Sequence, residues 1–104
     1  MGNDFRNTAR NLRVLVPPMW PIWVRRLTLP DEDHGDCAFV RESKKGPHFI
    51  IRLNRELSED ALIFALIHEW AHALSWGADT HRIADHGPEW GLAMSRIWQA
   101  LLED

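Results

Sequence analysis

One segment, residues 61–75, constrains the fold of this chain more than any other. Its sequence, ALIFALIHEWAHALS, is long enough for about four helical turns. Apolar side chains nearly surround a helix drawn through it, so the helix is expected in the core. The polar exceptions fall within one arc of about 120° when successive residues are placed 100° apart; they are His68, Glu69, His72 and Ser75. Burying such groups without partners is costly, so a partner is expected on that side.

The spacing of these polar residues indicates a metal site. His68 and His72 are four positions apart, so a helix places them on one face with Cβ atoms about 5–6 Å apart. Two imidazoles at that spacing can bind one zinc ion at about 2.0–2.1 Å each. Glu69 lies one step around the helix, where it suits a general base for a zinc-bound water. HExxH also occurs by chance, and the alternative is a pair of hydrogen-bonded core histidines.

A catalytic zinc ion usually has three protein ligands and one water, so a third ligand is expected after this helix. The candidates are Asp79, His81, Asp85, His86 and Glu89. His86 is the predicted ligand because it directly precedes Gly87-Pro88, where the next helix begins from a fixed backbone. Glu89 would lie in the first turn of that helix, where a carboxylate is favourable in any case.

Three helices are predicted, one at the start of the chain and two at its end. They cover residues 3–15, 59–75 and 88–102. The first follows from Phe5, Ala9 and Leu12, which recur at helical spacing before a group of prolines. Ser58 is the expected N-cap of the second helix and Gly77 its end, and Pro88 suits the first turn of the third.

Three strands are predicted between the first and second helices, at residues 22–29, 37–42 and 48–54. The last one alternates, with Phe49, Ile51 and Leu53 on one face. Residues 31–36 form a polar turn and residues 44–47 a hairpin-like break. The order α-β-β-β-α-α predicts an α+β, zincin-like domain in which a small three-stranded sheet packs on helices. Residues 1–104 are expected to form a single domain.

The tryptophans are numerous for this length, at six in 104 residues. Trp70 faces away from the polar arc and is predicted to lie in the core, whereas Trp76 is expected to border the cleft. Trp90 should pack the last helix under the metal site. Its predicted companions in the core are Leu92, Ala93, Ile97 and Leu101.

The charge distribution does not resemble that of a dedicated nucleic-acid-binding domain. The net charge is −3, with ten Lys/Arg against seven Asp/Glu in residues 1–56 and two against eight in residues 57–104. Such domains are usually strongly basic. A small basic surface leaves DNA association as an alternative to a solvated face; its residues are Arg6, Arg10, Arg13, Arg25 and Arg26.

The remaining features predict a cytoplasmic protein that does not enter membranes. Cys37 is the single cysteine, so no internal disulfide can form. It is expected to be a small buried residue, with a thiolate that reaches the metal as the alternative. No stretch approaches the ~18 apolar residues of a membrane helix, and the N-terminal residues do not read as a signal peptide.

Three segments resemble the SprT-like metallopeptidase family: HEWAHAL at residues 68–74, HGPEW at 86–90 and IRLN at 51–54. The resemblance covers roughly residues 22–102, and His86 follows His72 by fourteen positions. It implies His68, His72 and His86 as zinc ligands and Glu69 as the catalytic base. Many members carry a cysteine-rich zinc ribbon after the last helix, which is not expected here. The chain also looks like the minigluzincins, which would make Glu89 the third ligand.

The expected function is therefore a Zn²⁺-dependent endopeptidase that hydrolyses a protein or peptide substrate. The substrate is expected to lie extended along an edge of the sheet, and the protein to be a monomer. One alternative is a zinc-containing module that binds protein or DNA without peptidase activity. Another is a latent enzyme, inhibited by its own termini or by Cys37.

Overall fold

Within residues 4–30, 34–76 and 87–103, which the computed structural model describes, the chain forms three α-helices and three β-strands. Their bounds are α1 Asp4–Leu15, β1 Ile22–Leu27, β2 Gly35–Val40, β3 His48–Asn54, α2 Glu59–Ser75 and α3 Pro88–Glu103. The predicted α+β class and the order α-β-β-β-α-α are confirmed.

Helix α1 forms where the helical spacing predicted it. Phe5, Ala9 and Leu12 are buried and lie at i, i+4 and i+7, so they form one stripe facing the core. The backbone N–H of Val16 still donates to Leu12 O at 3.0 Å. Pro17 follows, and its missing N–H prevents a further helical turn.

The described strands form a mixed sheet in the order β1-β3-β2. The central strand β3 pairs with β1 in parallel and with β2 antiparallel. A turn at residues 43–46 joins β2 to β3, and Gly46 adopts the positive φ of 85° that favours glycine. Parallel strands such as β1 and β3 need a crossover connection. Here the connection between them contains β2, which pairs on the other side of β3.

Two of the predicted strands have wrong bounds, because each outer strand pairs only along the length of β3. β1 was expected to reach residue 29 but ends at Leu27, which pairs with Asn54 at the end of β3. β2 was expected at residues 37–42 but occupies Gly35–Val40, since Val40 pairs with His48 at the start of β3. Residues 35 and 36 therefore belong to a strand rather than to a turn.

Helix α2 packs on one face of the sheet, and α1 and α3 pack against α2. Phe49, Ile51 and Leu53 are buried on that face, as their alternation predicted, and α2 packs against β2 and β3. The opposite face carries the ion pair between Arg52 and Asp36. The core therefore lies between the sheet and the helices, with α2 at its centre.

Helices α2 and α3 are less completely buried than expected. Leu92 was predicted to be a core residue but is 68% exposed, whereas Ala93 and Ile97 are buried and Leu101 packs against the core. Leu92 lies about 100° around α3 from Ala93 and so leaves the buried stripe. On α2, Phe64 is 57% exposed. No helix among the described residues has the length and apolarity needed to cross a membrane.

Candidate metal and catalytic site

Helix α2 is held firmly at both its start and its middle. The Ser58 side chain accepts a hydrogen bond from the Ala61 backbone N–H at 3.3 Å, which makes Ser58 the predicted N-cap. Trp70 is fully buried, and its indole N–H donates to Val16 O at 2.9 Å. The predicted core role of Trp70 is confirmed, and it joins α2 to the end of α1. These contacts fix which face of α2 turns away from the core.

The imidazoles of His68 and His72 lie side by side on that face. Their ring centroids are 5.1 Å apart and their planes meet at 62°. Both residues are partly exposed. This is the arrangement that an i, i+4 pair of histidines gives on a helix, and imidazole nitrogens are preferred ligands of zinc. The donor set on α2 therefore fits two of the ligands of a zinc ion.

Trp90 connects the start of α3 to the histidine pair, as predicted. Its ring centroid lies 5.1 Å from that of His68 and 5.8 Å from that of His72. Its indole N–H donates to the backbone carbonyl of His68 at 3.3 Å. The indole thus packs against both rings and limits how far they can move, so that a ligand pair is held in place from α3.

Glu69 is buried beside a cavity at the start of β2. The residue is 8% exposed, and the cavity has a volume of about 530 Å³. The wall of this cavity comes from His34, Gly35, Ala61, Phe64, Ala65, His68 and Glu69. A carboxylate on the wall of such a space can contact a water or a substrate group inside it. Glu69 and the neighbouring His68 both line this cavity.

Cys37 lies near Glu69, and the negative charge of that carboxylate affects the ionisation of the Cys37 thiol. Cys37 pairs with Ile51, so its side chain points to the helix side of the sheet. Burial, together with the negative charges of Glu69 and Asp36, raises the pKa of the Cys37 thiol from 9.0 to about 12. The thiol is therefore protonated near neutral pH in the protein without metal, in agreement with a partly buried, unreactive cysteine.

The predicted third ligand lies outside the described residues. The same is true of Asp79, His81 and Asp85, so His86 stays a prediction. Glu89, the alternative, is exposed and lines a different cavity together with Trp76 and Arg96. In the part of the chain that the structure describes, no three His, Cys, Asp or Glu side chains form a group that can hold a metal ion. The minigluzincin alternative therefore gains no support from Glu89.

Two residues at the site were not singled out from the sequence. His34 and Gly35 line the same cavity as Glu69, although residues 31–36 read as a polar turn. A Cβ atom on Gly35 would lie 2.6 Å from Arg52 O and 2.9 Å from Leu53 Cδ2, so only glycine fits. No local pattern marks such a position, because the crowding comes from β3, eighteen residues away.

Comparison with known protein families gives a match over most of the chain. The model of the SprT-like family matches residues 23–103. The chain belongs to the SprT-like family. This match covers nearly the same residues as the resemblance predicted from the sequence. Helix α1 lies before the matched segment. SprT-like proteins are associated with zincin-type peptidases and with zinc. Searches of curated proteins and of solved structures gave no match.

Proposed function

We propose that this SprT-like domain is a zinc-dependent endopeptidase. The observation that carries the proposal is the pairing of His68 with His72 beside Glu69, whose side chain lines a cavity at the edge of the sheet. A purely structural zinc site would instead use four protein ligands and would not need Glu69.

Each residue has a separate role in the proposed reaction. A Zn²⁺ ion held by His68, His72 and the predicted ligand His86 would supply a Lewis acid that polarises the peptide carbonyl and acidifies water. Glu69 accepts a proton from the attacking water as the water oxygen bonds to the carbonyl carbon. Glu69 then donates that proton to the amide nitrogen as the C–N bond breaks. Trp90 keeps the two imidazoles oriented throughout.

The substrate is proposed to lie along the outer edge of β2. In the described sheet β3 pairs with one edge of β2, and no described strand pairs with the other. β2 also packs against α2, whereas β1 lies at the far side of the sheet. An extended peptide can therefore add to β2 by main-chain hydrogen bonds and pass the cavity at Gly35.

His34 is the proposed source of an additional polar contact to the substrate. The chain contains no tyrosine that could stabilise the oxyanion. The indole N–H groups of Trp70 and Trp90 already donate to backbone carbonyls, so they are poor candidates. His34 lines the same cavity as Glu69. His81 and Arg82 could also donate a hydrogen bond to an oxyanion, but both lie outside the described residues.

Replacement of Glu69 by Gln tests the proposal. The parent, loaded with zinc, is expected to cleave an unfolded protein substrate such as reduced, alkylated casein. Glu69→Gln should lower kcat/KM by about 10²-fold or more, because the general base is removed, and should keep the zinc content of the parent. Glu56→Gln is the matched control, since Glu56 is exposed in the turn before α2, and should leave activity unchanged.

The other outcomes decide between the alternatives. Equal cleavage by the parent and Glu69→Gln would contradict the assigned role of Glu69. If neither protein cleaves while both retain one zinc ion, the zinc-containing binding module becomes the better proposal. Cleavage that appears only after Cys37→Ser or after removal of a terminus would instead indicate a latent enzyme.

A further inference from the structure

A groove between α1 and β1 brings four arginines together. The groove has a volume of about 600 Å³. Arg6, Arg10 and Arg13 line it from α1, and Arg26 lines it from β1. The rest of the lining is apolar, and among the residues that the structure describes no Asp or Glu takes part in it. This is a concentrated positive charge in a protein whose net charge is −3.

The spacing of these arginines is regular along the groove. Arg6, Arg10 and Arg13 stand at i, i+4 and i+7, so they share one face of α1. With a rise of 1.5 Å per residue they span about 10 Å along the helix axis. Arg26 faces them across the groove from β1, so an elongated anion in the groove meets positive charge on both walls.

The arginine guanidinium groups are not neutralised within the described residues. The ion pair recorded there joins Arg52 to Asp36, on the opposite face of the sheet. Arg6 and Arg10 are exposed, and no hydrogen bond or ion pair is recorded for either in the described part of the chain. The Glu59 carboxylate lies at the N-terminal end of α1, where it accepts a hydrogen bond from the Phe5 backbone N–H at 2.9 Å.

The remaining two arginines are held in position by the protein. The Arg13 guanidinium donates to Ile22 O at 3.2 Å and lies 5.9 Å from the Trp70 ring centroid. The Arg26 guanidinium lies 4.9 Å from the centroid of Phe5. An arginine has five N–H donors, so these contacts leave others available to a ligand. Positioned guanidinium groups lose less entropy on binding than free ones.

We propose that this groove binds the phosphate backbone of single-stranded nucleic acid. The guanidinium group matches phosphate oxygens in charge and geometry. A concave groove with charge on both walls suits a strand that runs through it, whereas a lipid surface would contact a convex or flat face. The groove lining has no exposed aromatic ring on which bases could stack, so binding is expected to be independent of sequence.

This site is separate from the proposed peptidase site. Trp70, which lies beneath Arg13, is about 200° around α2 from His68. The groove and the histidine pair therefore lie on different sides of α2, and an occupied groove leaves the edge of β2 free. The inference does not rest on the peptidase proposal, so nucleic-acid binding by zinc-loaded Glu69→Gln should equal that of the parent.

Fluorescence anisotropy with a labelled 20-residue oligo(dT) strand tests this proposal on the full chain. The variant is Arg6→Gln/Arg10→Gln, since neither side chain makes a recorded structural contact. The matched control is Arg25→Gln/Lys44→Gln, which removes the same charge; Arg25 lies on the other face of the sheet and Lys44 in the turn before β3, and both are exposed. Circular dichroism verifies that both variants fold.

The parent is expected to bind at low salt, with a log Kd that changes by about 3 per tenfold change in salt if four phosphates are contacted. Arg6→Gln/Arg10→Gln should weaken binding at least ~10-fold and roughly halve that salt dependence, since two of four contacts are lost. The control should change binding less than about twofold. The proposal is overturned if both variants weaken binding equally, if the parent does not bind at 50 mM salt, or if only phosphatidylserine vesicles bind.

Discussion

At the scale of single residues, the site depends on groups whose surroundings differ sharply from those of ordinary surface side chains. Glu69 is buried, and a carboxylate in that position stabilises the fold only if it has partners. A buried acidic side chain on an otherwise apolar helix is typical of a functional site.

Cys37 allows a prediction about alkaline pH. Its thiol has a pKa raised from 9.0 to about 12 in the folded protein. Below pH 9 the thiol is protonated in both the folded and the unfolded chain and has no effect on pH dependence. Between about pH 9 and 12 the unfolded chain releases this proton and the folded protein keeps it, so the free energy of unfolding falls as pH rises. Cys37→Ser should remove this part of the decline.

Urea unfolding of the metal-free protein at pH 8 and pH 10.5 measures this effect. The difference between the two pH values should be smaller for Cys37→Ser than for the parent. All other titrating groups are common to both proteins, so they cancel in the comparison. Identical pH dependence in the two proteins would show that Cys37 is not buried next to Glu69 in solution.

At the scale of secondary-structure elements, the position of β2 beside α2 depends on Gly35. Gly35→Ala would place a Cβ atom against Arg52 O and Leu53 of β3, and should lower the free energy of unfolding by about 1–3 kcal/mol. Gly91→Ala is the matched substitution on α3, where no atom of the described residues outside the helix's own backbone lies within 4 Å of the added atom. It should raise stability by up to about 1 kcal/mol, because alanine favours a helix more than glycine.

Denaturant unfolding of the two alanine variants measures these opposite signs. If Gly35→Ala is as stable as the parent, then β2 does not approach β3 as closely as the structure has it. A destabilised Gly91→Ala would instead mean that this part of α3 is covered by another segment in solution.

Trp90 links two elements, and its removal should affect the metal site more than the fold. Trp90→Phe keeps a ring beside His68 and His72 but loses the N–H donor to His68 O. The loss of one hydrogen bond should lower stability by about 1 kcal/mol, and zinc should bind more weakly because His68 is held less firmly. Trp98→Phe is the control, since Trp98 lies on the same helix and is exposed.

Zinc titration against a competing chelator, followed for both variants, measures this prediction. The affinity of Trp98→Phe should equal that of the parent. Unchanged zinc affinity in Trp90→Phe would mean that Trp90 serves only the packing of α3 on α2.

At the scale of the whole molecule, metal binding should be coupled to folding. The proposed ligands His68 and His72 lie on α2, the central helix of the fold, so an ion that binds both of them stabilises the folded state. Zinc at about 100 times its Kd contributes about 2.7 kcal/mol. For a domain of this size 1 kcal/mol changes Tm by about 4–8 °C, so zinc should raise Tm by about 10–20 °C relative to protein in EDTA.

Thermal unfolding of the parent and of His68→Ala/His72→Ala measures this coupling. The increase in Tm with zinc should disappear in the double variant, and Mg²⁺ should have no comparable effect on the parent because it prefers oxygen ligands. An equal zinc-dependent increase in both proteins would contradict binding at the histidine pair.

Much of the local structure follows from the sequence alone, because it depends on residues close together in the chain. The spacing of Phe5, Ala9 and Leu12 predicts α1, and the alternation at residues 48–54 predicts β3 with its buried face. The four-residue spacing of His68 and His72 determines that their rings are neighbours. The class, the order of elements and the SprT-like family could all be read in this way.

The tertiary structure alone decided which segments meet. The strand order β1-β3-β2, the edge of the sheet beside Glu69 and the approach of Gly35 to Arg52 depend on pairing between segments far apart in the chain. Only the tertiary structure places Arg26 of β1 in one groove with the arginines of α1 and leaves Arg25 out of it. Side-chain periodicity specifies an element and its buried face, but many strand orders satisfy the same pattern. The packing of the whole core selects one of them.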